Sequence, residues 1–326
     1  MPQLRRLIAL LAAFPLLSRA LPATKYVETT PLPLVIWHGL GDSYQADGIM
    51  EVAQLAEEVN PGTYVYIIHL DDSDNGDRQA TFFGNVTEQI TQVCEQLASE
   101  PILSTAPAVN ALGFSQGGQF LRAFVEKCNF PQVHNLVTMG SQHNGIFKFQ
   151  SCDSSGDWVC RGAEALLRFG RWSDFVQSRL VPAQYFRDSN EYDSYLKHSN
   201  FLADINNERE EKNEAYKSNL LSLNRFGMFM FANDTVAVPK ESAWFAEVNQ
   251  LSGEITTLRE RSLYTEDWLG LRALDEQGKL DFETIPGQHM ELTDKLLTDV
   301  FTEYFGPVEV PDDVAALPPS LVKQGM

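Results

Sequence analysis

The sequence lacks the features that define several classes of protein. After its first twenty positions it has no apolar run near the ~20 residues that a membrane-spanning helix needs. Basic side chains are scarce, with 25 Lys and Arg against 44 Asp and Glu, which argues against a nucleic-acid partner because phosphate binding relies on cations. The 4 cysteines form no CxxC pair and the 6 histidines are not at ligand spacing. We therefore expect no metal and no other cofactor.

The N-terminus has the pattern of an export signal. Arg5 and Arg6 precede an apolar run over 7–17, which ends at Ser18-Arg19-Ala20. A basic start, a short apolar segment and a small-x-small site are typical of a cleavable signal peptide, which we place at residues 1–20. A membrane anchor is the alternative, but the apolar run is too short for one. We expect a protein of the secretory pathway with no transmembrane segment.

Export favours two further modifications. An even number of cysteines predicts two disulfides, with three possible connectivities among Cys94, Cys128, Cys152 and Cys160. The pairing Cys94–Cys128 with Cys152–Cys160 is favoured. Two sequons, at Asn85 and Asn233, are candidate glycosylation sites.

Strand and helix patterns alternate along most of the chain, which predicts βαβ units and a mainly parallel α/β sheet. Helical apolar patterns without a clear strand interrupt this order over 144–223, which we interpret as a helical insertion. The sheet domain then comprises 21–143 and 224–305, followed by a loose tail over 306–326. The expected strands are 34–37, 64–68, 109–113, 135–139, 226–231 and 280–285.

The pentapeptide Gly113-Phe114-Ser115-Gln116-Gly117 is a GxSxG motif between a predicted strand and a predicted helix. In the α/β-hydrolase fold this motif places a nucleophilic serine on a sharp strand-to-helix turn, and the glycines allow the chains to approach. A tight turn without catalysis is the structural alternative. The context favours Ser115 as a nucleophile.

A serine nucleophile needs a base and an acid, which in this fold follow it in the order acid, then histidine. His289 comes after the last predicted strand, whereas His198 lies in a polar stretch of the insertion. Asp234 comes just past an apolar strand and is the preferred acid. Asp204 and Asp267 are the alternatives, but both would place the acid on a helix or in the insertion.

An acyl-transfer site also needs two N–H donors facing the developing oxyanion. The residue after the nucleophile, Gln116, supplies one backbone N–H. The loop His38-Gly39-Leu40-Gly41 follows an early strand, and we assign the second donor to the Leu40 amide. His38 itself fits a structural role better than a catalytic one.

Longer motifs resemble the palmitoyl-protein thioesterase family. They are Trp37–Ser43, Gly113–Ala123, Phe201–Asn206 and Leu263–Thr265 with Leu269–Leu271. The resemblance extends from about Leu34 to Phe305. It implies a lysosomal α/β-hydrolase that removes long-chain acyl groups from S-acylated cysteines, with its nucleophile, acid and base at Ser115, Asp234 and His289.

The resemblance also implies oxyanion amides at Leu40 and Gln116, the two disulfide pairings, and an insertion that forms much of the acyl site. The apolar residues of the insertion, Trp172 among them, are candidates for the wall of that site, and ordinary helix core is the alternative. The family methionine is replaced by Leu40, and family sequons are absent at 197–199 and 213–215. The predicted destination is therefore a lysosome, a vacuole or the extracellular space.

The expected partner is an S-acylated protein or peptide, bound by a monomer. A secreted lipase or carboxylesterase with the same three residues is the alternative, followed by a non-catalytic lipid-binding protein.

Overall fold

A computed structural model describes residues 31–149, 161, 167 and 170–307. Its centre is a six-stranded sheet in the order β2-β1-β3-β4-β5-β8, and every neighbouring pair of strands is parallel. The strands are β1 Leu34–Trp37, β2 Val65–Ile67, β3 Val109–Phe114, β4 Val133–Met139, β5 Arg225–Phe231, β6 Glu247–Val248, β7 Ile255–Thr256 and β8 Leu280–Ile285. The remaining two, β6 and β7, form a separate antiparallel pair.

Helices connect the strands and cover both faces of the sheet. Those with described bounds are α1 Asp47–Val59, α2 Asp74–Ala80, α3 Val86–Ser99, α4 Pro101–Thr105, α5 Gln116–Lys127, α6 Asp174–Gln177, α7 Val181–Gln184, α8 Tyr192–His198, α9 Leu202–Ile205, α10 Glu214–Leu221, α11 Ser262–Thr265, α12 Leu271–Glu276 and α13 Asp294–Phe305. Within the described residues, three short 3-10 helices lie at Ser189–Glu191, Lys240–Trp244 and Leu258–Glu260.

The sheet has an apolar core on each face, because successive side chains of a strand point to opposite sides. In β1, Leu34 and Ile36 belong to one core, together with apolar residues of α1 and α13. Val35 and Trp37 belong to the other core, with residues of α3 and α5. A parallel sheet covered on both sides is the α/β-hydrolase architecture that the sequence predicted.

The predicted strands are all present, within two residues at either end. The β6–β7 pair and the helices α11 and α12 were not predicted, because two-residue strands and single helical turns leave no periodic pattern. Between β4 and β5 the described residues contain helices and isolated bridges. The signal peptide 1–20, the pair Cys152–Cys160 and residues 308–326 of the tail lie outside the described residues. No helix within the described ranges is long and apolar enough to cross a bilayer.

The predicted disulfide Cys94–Cys128 is confirmed and joins α3 to the end of α5. The two cysteines are separated by 34 positions. Closing a loop of that length stabilises a fold by about 3.8 kcal/mol on the chain-entropy model. We expect a Cys94→Ala/Cys128→Ala variant to lose about 3–4 kcal/mol of unfolding free energy in urea titrations. A variant as stable as the wild type would contradict this, and wild type titrated with a strong reductant is the control.

Helix α5 also carries a buried ion pair. Arg122 Nη1 donates to Glu126 Oε1 at 2.7 Å, and both side chains are fully buried. The same guanidinium donates to the carbonyl oxygens of Ile205 and His143 and to Asn206 Oδ1. Burial raises the pKa of Glu126 to about 7, although the Arg122 charge opposes this rise. An ordinary glutamate is fully ionised at that pH.

A carboxyl whose folded-state pKa is raised contributes stability below its unfolded pKa, and this contribution is lost as the pH rises to the folded value. For Glu126 the window runs from pH 4.5 to about 7. We expect wild type to lose on the order of 1–3 kcal/mol relative to Glu126→Gln across this window. Urea titrations of both proteins at several pH values measure the difference. The exposed Glu95→Gln variant is the control, and parallel curves for wild type and Glu126→Gln would contradict the prediction.

Candidate active site

Ser115 lies at the turn between β3 and α5, with a backbone φ of 49° and ψ of −119°. A non-glycine residue in this region is strained, and such strain is typical of a nucleophile elbow. The Ser115 N–H donates to the Met139 carbonyl oxygen at 2.7 Å, which ties the turn to β4. A Cβ on Gly117 would lie only 2.2 Å from the Trp37 carbonyl oxygen. Glycine is therefore required where the turn crosses β1.

Three side chains from separate loops form one hydrogen-bonded chain. His289 Nε2 lies 3.0 Å from Ser115 Oγ, and His289 Nδ1 lies 2.6 Å from Asp234 Oδ2. Ser115 is 7% exposed, and the Asp234 side chain is 1% exposed. This arrangement is able to act as a nucleophile, a base that accepts its proton, and an acid that orients the base. The two distances are within the range of a working relay.

Asp234, the candidate acid, is held in place by the loop that follows β5. Asp234 Oδ1 accepts hydrogen bonds from the backbone N–H groups of Val236 at 2.8 Å and Ala237 at 2.9 Å. This leaves Oδ2 for the imidazole. The Asn233 N–H donates to the Gly287 carbonyl oxygen at 2.9 Å, which continues the pairing of β5 and β8 beyond their ends. The acid loop and the histidine loop are therefore fixed to each other.

The alternative acids lie elsewhere. Asp204 pairs with Lys127 and accepts from the Tyr216 hydroxyl. Asp267 pairs with Lys217 at 2.9 Å. His198 is the last residue of α8, and in sequence it is far from the carboxyl ends of β3 and β8. Neither aspartate belongs to the hydrogen-bonded relay of Ser115 and His289.

The two predicted oxyanion donors flank Ser115. Gln116 is the first residue of α5, and the first N–H groups of a helix have no partner within that helix. Leu40 follows Gly39, where a Cβ would lie 3.2 Å from Ser115 Cβ, so this loop passes directly over Ser115. Among the described residues, neither the Leu40 nor the Gln116 backbone N–H has a protein acceptor. The assignment of these amides stays a prediction.

A buried pair under the Leu40 loop was missed by the sequence analysis. His38 Nε2 lies 2.9 Å from Asp77 Oδ2, and both side chains are nearly or fully buried. Asp77 also accepts from the Tyr44 N–H at 2.9 Å and the Leu70 N–H at 2.7 Å. These bonds to the carboxylate outweigh burial and lower the pKa of Asp77. The pair anchors both ends of the predicted oxyanion loop, and no motif marks Asp77 in the sequence.

A cavity of about 620 Å³ opens onto Ser115 and His289. Part of its apolar lining comes from α1 and from α13 with the segment before it: Ile49, Val52, Leu55, Met290, Leu292 and Leu297. Further lining residues come from the region between β4 and β5 and from the loop that carries Asp234: Ile146, Phe149, Tyr185, Val236 and Ala237. Among the described residues no cluster of His, Cys, Asp and Glu is arranged to hold a metal.

Trp172, the wall residue suggested by the resemblance, does not line this cavity. Its ring packs edge-on against Phe186 and Tyr195, and its Nε1 donates to Glu191. Trp172 therefore contributes to the packing of the helical region between β4 and β5. The helix α1 was not predicted as a wall, because its inward residues look like ordinary amphipathic core in the sequence.

Known proteins are similar in sequence to this chain over most of its length. The family model described as palmitoyl protein thioesterase matches residues 33–289. "Palmitoyl-protein thioesterase 1" of Caenorhabditis elegans is 40% identical over 85% of this chain and 93% of its own. "Palmitoyl-protein thioesterase 3" of Dictyostelium discoideum is 34% identical over 86% and 91%. "Lysosomal thioesterase PPT2 homolog" of Drosophila melanogaster is 29% identical over 79% and 85%. The chain belongs to the palmitoyl-protein thioesterase family.

Proposed function

We propose that this protein hydrolyses long-chain acyl thioesters of cysteine residues, with Ser115 as nucleophile, His289 as base and Asp234 as the orienting acid. The observation that carries the proposal is the hydrogen-bonded chain of these residues at the mouth of a largely apolar cavity. Membership of the family supports the thioester as the bond that is cleaved.

The chemistry follows from the positions of the three side chains. Ser115 Oγ attacks the thioester carbonyl while His289 Nε2 takes its proton, and Asp234 stabilises the resulting imidazolium. The tetrahedral intermediate places negative charge on the former carbonyl oxygen, toward the amides of Leu40 and Gln116. The intermediate collapses as the carbon–sulphur bond breaks, and the cysteine sulphur takes the proton from His289. Water, activated by the same imidazole, then releases the fatty acid from Ser115.

The cavity suits a long acyl chain. Each methylene that is removed from water contributes about 0.8 kcal/mol, so a sixteen-carbon chain gains up to about 11 kcal/mol if it is fully buried. Side chains of α1 and α13 offer an apolar surface for this burial next to Ser115. Binding energy of this size explains why a hydrolase would specialise in long-chain substrates.

Rates on three substrates separate the proposal from its nearest alternative. We expect an S-palmitoyl peptide to be hydrolysed with a higher kcat/KM than a triglyceride emulsion, with palmitoyl-CoA as a second thioester. Preference for the emulsion would indicate a secreted lipase. A fluorophosphonate probe should label Ser115 in the folded protein, and absence of label would indicate a non-catalytic lipid-binding protein.

The proposed location is the lysosome or another compartment of the secretory pathway. The predicted signal peptide and a relative named as a lysosomal thioesterase support this location. The Asn233 side chain is exposed, whereas Asn85 is half-buried and caps α3 by accepting from the Thr87 N–H. Asn233 is therefore the better candidate for a glycan, and a mass shift after glycosidase treatment that is lost in Asn233→Gln would test it.

A further inference from the structure

Gly48, the second residue of helix α1, is a glycine that the backbone does not require. Its φ is not positive, so other residues can adopt the same helical conformation. A Cβ placed on it would have no heavy atom within 4 Å, whereas a Cβ on Gly117 would collide with the Trp37 carbonyl oxygen. Alanine would fit at position 48 and is the better helix former. Neither strain nor crowding therefore explains this glycine, and the missing side chain itself needs a reason.

The open space beside Gly48 belongs to the cavity that opens onto Ser115. Gly48 lines this cavity, as do Val52 and Leu55. Val52 and Leu55 follow Gly48 at the i+4 and i+7 positions, so all three lie on one face of α1. A side chain at position 48 would therefore project into the cavity.

Gly48 lies at the end of α1 that is nearer to Ser115. Strands β1 and β3 are parallel neighbours, and α1 and the turn at Ser115 follow their carboxyl ends. The residue after Gly48, Ile49, packs in the same apolar core as Phe114. An acyl chain bound to Ser115 and directed along α1 would pass position 48 before it reached the rest of the helix.

The cavity continues along α1 as a groove beside α13. Residues of α1 between 48 and 58 contribute to its lining, over a length of about 15 Å at ~1.5 Å per residue. Asn60 Nδ2 donates to the Phe301 carbonyl oxygen at 2.9 Å, which fixes the far end of α1 against α13. Glu51 and Glu58 also line the groove but are exposed, so its charged groups lie at the rim.

We propose that Gly48 determines the acyl-chain specificity of this protein, because its missing side chain leaves the passage through which a long acyl chain runs from Ser115 along α1. This inference rests on the proposed thioesterase function. A saturated chain has no polar group beyond its carbonyl, which matches the apolar surface of Val52 and Leu55. Each methylene buried in the groove is worth up to about fourfold in kcat/KM. A side chain at position 48 would remove this gain for long chains and leave short acyl groups unaffected.

A series of thioesters that differ only in acyl length tests the proposal. The substrates are N-acetylcysteamine thioesters of butyric, octanoic, dodecanoic and palmitic acid. We expect the kcat/KM of wild type to rise along the series. Gly48→Leu should lower kcat/KM on the palmitoyl thioester at least about fifteenfold, the value of two methylenes, and stay within about threefold of wild type on the butyryl thioester. Gly48→Ala should lower the palmitoyl rate about fourfold.

A leucine on the other side of the same helix is the matched control. Glu57 is exposed and does not line the cavity, and it lies on the face of α1 opposite Gly48. Glu57→Leu should leave the ratio of palmitoyl to butyryl rates within about twofold of wild type. Gly48→Ala should be at least as stable as wild type in urea titrations, because its Cβ meets no other atom. It therefore decides the question if Gly48→Leu does not fold.

The outcomes separate this inference from the proposed function. A ratio of palmitoyl to butyryl rates that is unchanged in Gly48→Leu, or in Gly48→Ala where only that variant folds, would overturn the inference and leave the proposed function intact. An equal loss on both substrates would also overturn it, since the new side chain would then disturb Ser115 and not the acyl chain. Failure of wild type to hydrolyse any thioester of the series would overturn the proposed function.

Discussion

Replacing Ser115 by alanine is expected to reduce the release of palmitate from an S-palmitoyl peptide by at least about 10⁴-fold. The reason is that His289 Nε2, 3.0 Å from Ser115 Oγ, would keep its place but have no nucleophile to activate. Residual turnover would come only from water bound near the predicted oxyanion donors. Steady-state rates at saturating peptide measure the effect.

A second buried serine near the elbow provides the control. Ser141 follows β4 and is fully buried, and its Oγ would lie 1.9 Å from a Cβ placed on Gly118. It has no part in the relay. Ser141→Ala should retain activity within a few-fold of wild type. Comparable turnover by Ser115→Ala and wild type, with both proteins folded by near-UV circular dichroism, would rule out Ser115 as the nucleophile.

Replacing Asp234 by asparagine is expected to lower kcat by about 10³–10⁴-fold without unfolding the loop. The carboxylate oxygen Oδ1 accepts two backbone N–H groups, so the new NH₂ cannot occupy that side. It must replace Oδ2 and face His289 Nδ1, which lies 2.6 Å away in the wild type. The imidazole would then carry its proton on Nε2 and be unable to accept the proton of Ser115.

The alternative acid Asp204 gives a matched control for this change. Its carboxylate pairs with Lys127 and Tyr216, away from the imidazole. Asp204→Asn should therefore change kcat by no more than a few-fold, with any loss appearing in stability. The assignment of the acid is wrong if Asp204→Asn and Asp234→Asn lose activity equally, or if Asp234→Asn remains within tenfold of wild type.

Local patterns were sufficient to predict the sheet. The central strands are mainly apolar and lead into turns, as expected for a parallel sheet covered on both faces, although Asn110 of β3 and Asn135 of β4 are buried as well. The fold also constrains the order of the site residues along the chain, so the positions of Asp234 after β5 and His289 after β8 make them the candidate acid and base. The pairing of Cys94 with Cys128 was likewise correct, and it joins α3 to the residue that caps the end of α5 on the same face of the sheet.

Other parts of the site depend on packing between residues distant in sequence, which no local sequence pattern predicts. The partner of His38 is Asp77, 39 positions away on a short helix, and only the fold brings the two together. The cavity walls in α1 consist of residues whose spacing is that of any amphipathic helix. Contacts between side chains distant in sequence therefore account for what was missed.

The role of Ser115 is tested by finding where the acyl group goes during turnover. Wild-type protein is mixed with an S-palmitoyl peptide, quenched in acid within one turnover, digested, and mapped by mass spectrometry. We expect a palmitoyl ester on the fragment that contains Ser115, and no such ester in Asp234→Asn under the same conditions. A palmitoyl group carried by any other residue during turnover would contradict it.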